Sequence, residues 1–445
     1  MIGAVIPFDP ARRPKLPTFA ALALTAVVVA AAGVAACGST TGTATPGTVA
    51  PTSPPPPTLV ATATPTATPS PLPSIYPVPT SAFAAPTPNP VTLDDATAAT
   101  LQKTVESLQS GKSFPGLSVA IAFPDGQVWT GQAGKAVLAT RTPVTADTLF
   151  SFGSISKTFV AALVGRLAQQ GTIGLDDPLA KYVPTFYLAD KITVRMLLNH
   201  TSGIMELFDV RGMGAAILAD PTRAWTADEV LARVGRNRYA FAPGKGYKYS
   251  NTDYVLLGKV VEQATGKTVA SLVRSEFLEP LGLDSTYLQT EETAADLGIT
   301  APEAHGYMTP ASKPRDNSAG TMLPFTSEAT VVGPAGAYVS TPSDLARWGS
   351  ALYAGQVLDQ ATLASMVDIS QTSGYRPKWV YGLGFEEVTI SGLTAWGHRG
   401  HLDGFWSSME YLPAYGVTIV VAANAEWCDP IAVTTSLVNV IKPPT

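Results

Sequence analysis

Ser154 and Lys157 stand three residues apart in the stretch Phe150-Ser151-Phe152-Gly153-Ser154-Ile155-Ser156-Lys157-Thr158-Phe159. On a helix that spacing puts a hydroxyl and an amine on one face, within reach of each other. A serine hydroxyl is a poor nucleophile until a base takes its proton. A lysine amine serves as that base only when neutral, and both burial and the positive end of a helix dipole disfavour its charged form. Backbone N–H groups at the same helix start are suited to an oxyanion. The competing reading makes Ser154 a helix cap and Lys157 a solvated first-turn residue. An isolated S-x-x-K is common by chance, so other stretches must decide.

Three do bear on it. Tyr247-Lys248-Tyr249-Ser250-Asn251 follows Pro243-Gly244. The Tyr249 phenol suits a proton relay, and Asn251 suits hydrogen bonding to a substrate amide; the alternative is a packing tyrosine and a capping asparagine before a helix. Gly397-His398-Arg399-Gly400-His401 offers a polar residue and then a glycine, which lets a substrate lie close to a strand edge. Its alternative is a glycine-rich hairpin before a strand. In Leu197 to Gly203, His200 reads as a structural residue rather than a catalyst.

The elements that must position these groups have readable signals. Phe159, Val160, Leu163, Val164 and Leu167 recur at helical spacing after Ser154, and Gly171 stops that helix. The folded region starts near Thr92, with a helix through Leu101, Val105 and Leu108 broken at Gly111. Gly116 to Phe123 reads as a strand, Pro124-Asp125-Gly126 as a turn, and Gln127 to Thr130 as the return strand. After Gly171 come helices: a short one capped by Leu175 to Pro178, then Val194–Leu198, Ala227–Val234 and Asp253–Ala264. Gln289 to Ala337 shows little regular patterning. Pro342 starts a capped helix. Strand-like runs follow at Trp379–Phe385, Phe405–Leu412 and Val417–Ala423, and Pro430–Ile441 closes the chain as a helix. The implied architecture is α+β: an antiparallel sheet flanked by helices, with an inserted, mainly helical subdomain at about 175–335.

Ser154-x-x-Lys157, Tyr249-x-Asn251 and His398-x-Gly400, in this order, resemble the three motifs of the serine β-lactamase and penicillin-binding protein superfamily. The branch holds class C β-lactamases, D-alanyl-D-alanine carboxypeptidases, D-aminopeptidases and related esterases. Leu198 to Gly203 and Gly336 to Leu345 are similar to it as well, and the resemblance runs from about Thr92 to the C-terminus. It implies a β-lactamase/transpeptidase-like fold and an acyl-enzyme on Ser154. Lys157 and Tyr249 would share the proton work. His398 would stand where a K-T-G motif has lysine, and the N–H groups of Ser154 and His401 would form the oxyanion hole. Asn251 would hold the acyl-side amide, with Gly400 and His401 lining the substrate. Two departures stand out. Histidine at 398 resembles the peptidase and esterase members more than true class C β-lactamases. Arg399 replaces a hydroxyl residue that often binds substrate carboxylate. The resemblance ranks a D-alanyl-D-alanine carboxypeptidase acting on cell-wall peptides first. An esterase or D-aminopeptidase comes next, then a β-lactamase, then a silent cell-wall-binding surface protein.

Composition narrows the rest. The 445 residues carry 29 basic and 34 acidic side chains, and no basic patch points to nucleic acid. Arg12, Arg13 and Lys15 precede an apolar run from Phe19 to Ala36, which reads as a signal peptide over 1–36. Its length leaves an uncleaved anchor as the alternative. Val34-Ala35-Ala36-Cys37-Gly38 resembles a bacterial lipobox, implying lipidation at Cys37 and a membrane tether on the extracytoplasmic face. Residues 37–91 are rich in Pro, Thr, Ala and Ser and read as a disordered linker before the 92–445 hydrolase domain. At about 3.1 Å per residue, roughly 50 residues reach on the order of 150 Å at most. Cys428, the second of two cysteines, reads as a buried small hydrophobe. Four histidines, no H-E-x-x-H and no cysteine cluster give no expected metal or cofactor. His398 and His401 would fall on opposite strand faces. The lack of a G-x-S-x-G elbow disfavours the α/β-hydrolase fold.

Overall fold

The computed structural model describes residues 91–235, 239–309, 311–367 and 380–442, all within Ala67–Thr445. The leader, Cys37 and nearly all of the linker lie outside them. Helix α1, Asp95–Lys112, is capped by Asp94, whose carboxylate accepts the Thr97 N–H at 2.7 Å. It runs through Gly111, where the sequence suggested a break, and ends on Ser113 in the left-handed region. Strands β1 (Gly116–Ala122) and β2 (Val128–Val137) form the expected hairpin, with β2 longer than expected. Short β3 (Thr142–Pro143) and β4 (Phe150–Ser151) follow. A 3-10 turn, Gly153–Ile155, then leads into α2, Ser156–Gln169.

From Leu179 to Ala335 the regular elements are mostly helices, joined by loops. A 3-10 turn at Leu179–Lys181 precedes α3 (Val194–Leu198), α4 (Met213–Ala219), α5 (Ala227–Val234) and α6 (Asn251–Thr265). Next come α7 (Val269–Val273), a π turn, and α8 (Glu279–Leu281). The Gln289–Ala337 stretch holds more order than its patterning suggested. After β5 (Tyr287–Leu288), it contains the hairpin β6 (Tyr307–Met308) and β7 (Arg315–Asp316), then α9 (Thr326–Val332). Strand β8 (Tyr338–Ser340), α10 (Pro342–Tyr353) and α11 (Gln360–Val367) lead back to the sheet. Only Val380–Tyr381 of the expected 379–385 run is a strand, β9, and Trp379 lies outside the described residues. Then come β10 (Glu386–Ile390), β11 (Leu393–Leu402), β12 (Phe405–Leu412), β13 (Val417–Ala423) and α12 (Pro430–Ile441).

The main sheet has the order β3-β2-β1-β13-β12-β11-β10-β9, with antiparallel pairs throughout. Central β1 and β13 are buried along their whole length, so each face carries apolar side chains. Leu117, Val119, Ile121, Ile419 and Val421 pack under α1 and α12 with Leu101, Val105, Leu437 and Val438. Ala120, Ala122, Val420 and Ala422 face the larger core that holds α2 and α10. The expected α+β architecture, helices packed on an antiparallel sheet, is what the chain adopts.

Helix α2 is pinned at the centre. Phe159 stacks between Tyr338 at 4.7 Å and Trp348 at 4.3 Å. The Trp348 indole donates to Thr158 Oγ1 at 2.9 Å. Truncating so large a buried ring costs about 3–5 kcal/mol. Cys428 is buried and free, as its sequence context suggests. Among the described residues, no helix is long and apolar enough to cross a membrane.

Candidate active site

Strand β4 delivers the chain to Ser154. It pairs with β8 at Phe150↔Ser340 and Ser151↔Val339, and Phe152 N–H donates to Tyr338 O at 3.2 Å. Ser156 then ties the turn down. Its hydroxyl donates to Gly153 O at 2.6 Å and accepts the Tyr338 N–H at 3.0 Å. Ser154 lies in the 3-10 turn, two residues before α2 rather than inside it, and makes no side-chain cap. Lys157, in the first turn of α2, is completely buried. Both bland readings of the pair therefore fail.

Strand β11 lies against this turn through two glycines. A side chain on Gly400 would come 1.8 Å from Phe152 O, and one on Gly153 would come 2.6 Å from His401 N. Gly153 also has φ +51°, in the region that favours glycine. The absent side chain at Gly400 thus lets strand and turn mesh, where the sequence suggested room for substrate. The meshing brings the His401 main chain beside the nucleophile. β10 pairs β11 only over Leu393–Gly397, so among the described residues the His398–Leu402 edge has no strand partner on that side.

Three side chains converge on Ser154. Lys157 Nζ is 3.0 Å from its Oγ. Tyr249, on the loop before α6, donates its hydroxyl to the same oxygen at 2.7 Å. Asn251, at the start of α6, turns Oδ1 to Lys157 Nζ at 2.7 Å. The Ala335 carbonyl accepts from Nζ at 2.7 Å. A neutral amine has two N–H groups and one lone pair. Two of its three neighbours are carbonyl oxygens that only accept, so the lone pair is left to face the serine hydroxyl.

Glu206, which the sequence reading missed, fixes the Asn251 amide. It accepts the Asn251 Nδ2–H at 2.8 Å and the Asn251 backbone N–H. Asn251 is therefore held by Glu206 and Lys157, whereas the sequence suggested a hand on the substrate amide. No local pattern announces Glu206, because its partner lies 45 residues on.

Burial governs the charges. It lowers the Lys157 amine to about 7, partly opposed by the carboxylates of Glu206, Glu386 and Asp253. Burial pushes the Tyr249 phenol well above its ordinary range, with the Ser154 bond acting against it. Near neutrality the tyrosine is a proton donor and the lysine is the group able to accept. Burial also lowers His398 to about 4, so its ring is neutral. Its Nε2 lies 3.0 Å from the Tyr381 hydroxyl. The Tyr249 ring rests on His200 at 4.4 Å between centroids and stands 6.2 Å from His398. His200 bonds Asp253 at 3.1 Å, the structural role its context suggests.

Arg399 keeps its charge. Its Nε and Nη2 donate to Glu386 at 2.9 and 3.1 Å. This fork, aided at low pH by a protonated His398, holds Glu386 at about 2 although its burial pushes the other way. His398 and His401 do point apart: the first meets Tyr381, the second Glu426 at 3.0 and 3.1 Å. His401, Asp403 and Glu426 each place one potential ligand atom within 4.8 Å of the others, a grouping the sequence reading did not foresee.

The arrangement brings a hydroxyl, a neutral amine and a protonated phenol to one point with the His401 main chain close by, an inventory suited to acyl transfer. A family model described as Beta-lactamase matches residues 101–427. Penicillin-binding protein 4 of Amycolatopsis lactamdurans is 29% identical over 342 residues, covering 73% of this chain and 84% of that protein. Unguisins hydrolase ungD' of Aspergillus campestris (strain IBT 28561) is 26% identical over 355 residues, covering 74% of this chain and 62% of that protein. The chain thus spans less than two thirds of that relative. Among solved structures, the D-amino acid amidase of Ochrobactrum anthropi SV3 is similar with TM-score 0.67 at 28% identity, covering 78% of this chain and 99% of that chain.

Proposed function

The chain belongs to the beta-lactamase family, and as a serine hydrolase of that superfamily we propose that it forms an acyl-enzyme on Ser154 from uncharged esters and D-amino acid amides. Lys157 takes the serine proton as Oγ attacks the carbonyl carbon. The N–H groups of Ser154 and His401 hold the resulting oxyanion. Tyr249 gives its proton to the departing oxygen or nitrogen as that bond breaks, and the proton on Lys157 restores the phenol. Water then attacks the ester, its proton passes to the same pair, and Ser154 leaves with its hydrogen regained. Asn251 acts by orienting Lys157, and His398 by holding Tyr381, whose ring stands edge-on to that of Tyr249 at 6.0 Å.

The observation that carries the substrate class is the Arg399–Glu386 fork. A D-alanyl-D-alanine carboxypeptidase must hold a terminal carboxylate, and the arginine that stands at that motif position is already committed to a carboxylate of the protein. The neutral His398 adds no charge. The likeness to a D-amino acid amidase supports the same choice. The carboxypeptidase reading, ranked first from sequence, becomes the second; the penicillin-binding relative favours it.

A substrate panel tests this: D-amino acid amides, short p-nitrophenyl esters, a chromogenic cephalosporin, and a D-Ala-D-Ala peptide beside its C-terminal amide. The amide form is expected to be cleaved with higher kcat/KM than the free acid. Clear preference for the free carboxylate would restore the carboxypeptidase. We also propose that Cys37 carries lipid and tethers this domain outside the cell; Cys37→Ala is expected to move the protein from membrane to soluble fractions, and unchanged membrane retention refutes the tether.

A further inference from the structure

Glu426 follows β13 and lies away from Ser154 in sequence, yet it grips the segment that faces the nucleophile. Its carboxylate meets His401 Nε2 at 3.0 and 3.1 Å and accepts the Gly404 N–H at 2.9 Å. It therefore spans the turn between β11 and β12. Its main chain is anchored too. The Glu426 N–H donates to Tyr307 O at 2.9 Å, and the Glu426 carbonyl accepts from the Trp406 indole at 3.1 Å. That indole packs against the His401 ring at 4.4 Å between centroids, tilted by 35°. From the other side, Asn317 donates to Asp403 O at 2.9 Å. The His401 imidazole is thus fixed at its tip and along its face. Its backbone nitrogen lies 2.6 Å from the place a Gly153 side chain would take.

We propose that Glu426 is a positioning residue: by holding the His401 ring and the Gly404 amide together, it fixes the His401 N–H at the place where the transition-state oxyanion forms. This rests on the acyl-transfer reading above, in which that N–H is a donor. An oxyanion donor acts by being in place before charge develops, so displacing it weakens transition-state binding more than substrate binding. Sequence gives no hint of it, since Glu426 and His401 are 25 residues apart on different elements.

Glu426→Gln is the test, with Glu426→Ala as the stronger variant. Both are compared with wild type at equal concentrations of folded protein. With Glu426→Gln, kcat is expected to fall about 10- to 100-fold with KM changed less than threefold. The affinity for a boronic acid that mimics the tetrahedral state should fall in parallel. Amide hydrogen exchange over His401–Gly404 should quicken, whether or not a good substrate has been found. Unchanged exchange, or kcat within twofold of wild type with only a lower Tm, overturns the proposal. One-to-one Zn2+ binding by wild type that Glu426→Gln abolishes would overturn it as well, by giving the carboxylate to a cation. Loss of Ser154-dependent labelling by a fluorophosphonate in wild type would instead strike the acyl-enzyme reading and leave the exchange result to judge the clamp.

Discussion

Two basic side chains on the elements that build the site, Lys157 on α2 and Arg399 on β11, meet opposite fates. Lys157 is completely buried, its nearest partners are two carbonyls and a hydroxyl, and its amine is lowered to about 7. Arg399 is held by a carboxylate that matches its fork, and its guanidinium is raised above its ordinary value. Burial alone does not decide charge; the partner does. A base that must be neutral is surrounded by carbonyls. An ion that must persist is given a counterion, and through it becomes unavailable to the substrate.

The sharpest break is at the hydroxyl both regions serve. Ser154→Ala should lower kcat/KM on any cleaved substrate by on the order of 10⁴-fold or more, and retained turnover in a Ser154→Ala assay would remove the serine from its role. Lys157→Met should cost about 10²- to 10⁴-fold in kcat while making the protein more stable. The folded amine lets go of its proton near 7 and the unfolded one near 10.5. At about 1.36 kcal/mol per pH unit, keeping it buried costs up to about 5 kcal/mol. That cost is fully present below about pH 7 and fades as pH rises towards 10.5, because the unfolded chain binds the extra proton between those values. Chemical denaturation of Lys157→Met should show its gain at low pH, and a loss of stability there would contradict the neutral-amine account.

The arginine side breaks differently. Glu386→Gln takes its counterion from a half-buried guanidinium and should destabilise the fold by about 1–3 kcal/mol, read from urea midpoints. A near-neutral result would mean Arg399 has other support. The mildest probe leaves every residue in place. kcat/KM should rise with pH through about 7 as Lys157 becomes neutral, falling about tenfold per pH unit on the acid side. A flat profile from pH 5 to 9 would remove the titrating base.

The parts of this design that were legible share one property: their signal is local. Val194–Leu198, Ala227–Val234 and Pro430–Ile441 match their sequence bounds because Thr193, Thr226 and Asp429 cap their first turns. Ser154, Lys157 and Tyr249 were found by spacing and order. What escaped depends on distant partners. β10 opens with Glu386 and Glu387, which look like a loop until Arg399 arrives 13 residues later. Helix α9 follows Phe325, which offers no side-chain cap, so its start carries no such mark. Glu206 and Glu426 were invisible for the same reason as Glu386: a carboxylate has no periodicity, and only the fold names its partner. Asn251 shows the converse: its position was legible, but the hold of its amide on Glu206 and Lys157 was not.

The seam where Gly153 meets His401 and Gly400 meets Phe152 leaves no slack of even a methyl group. A lineage of this chain can therefore retune what it accepts by editing surrounding loops. It cannot widen the gap between attacking oxygen and strand in small steps, because the first added carbon on either side would wedge the two apart. Preference is free to wander, while the distance over which the chemistry happens is frozen by steric exclusion.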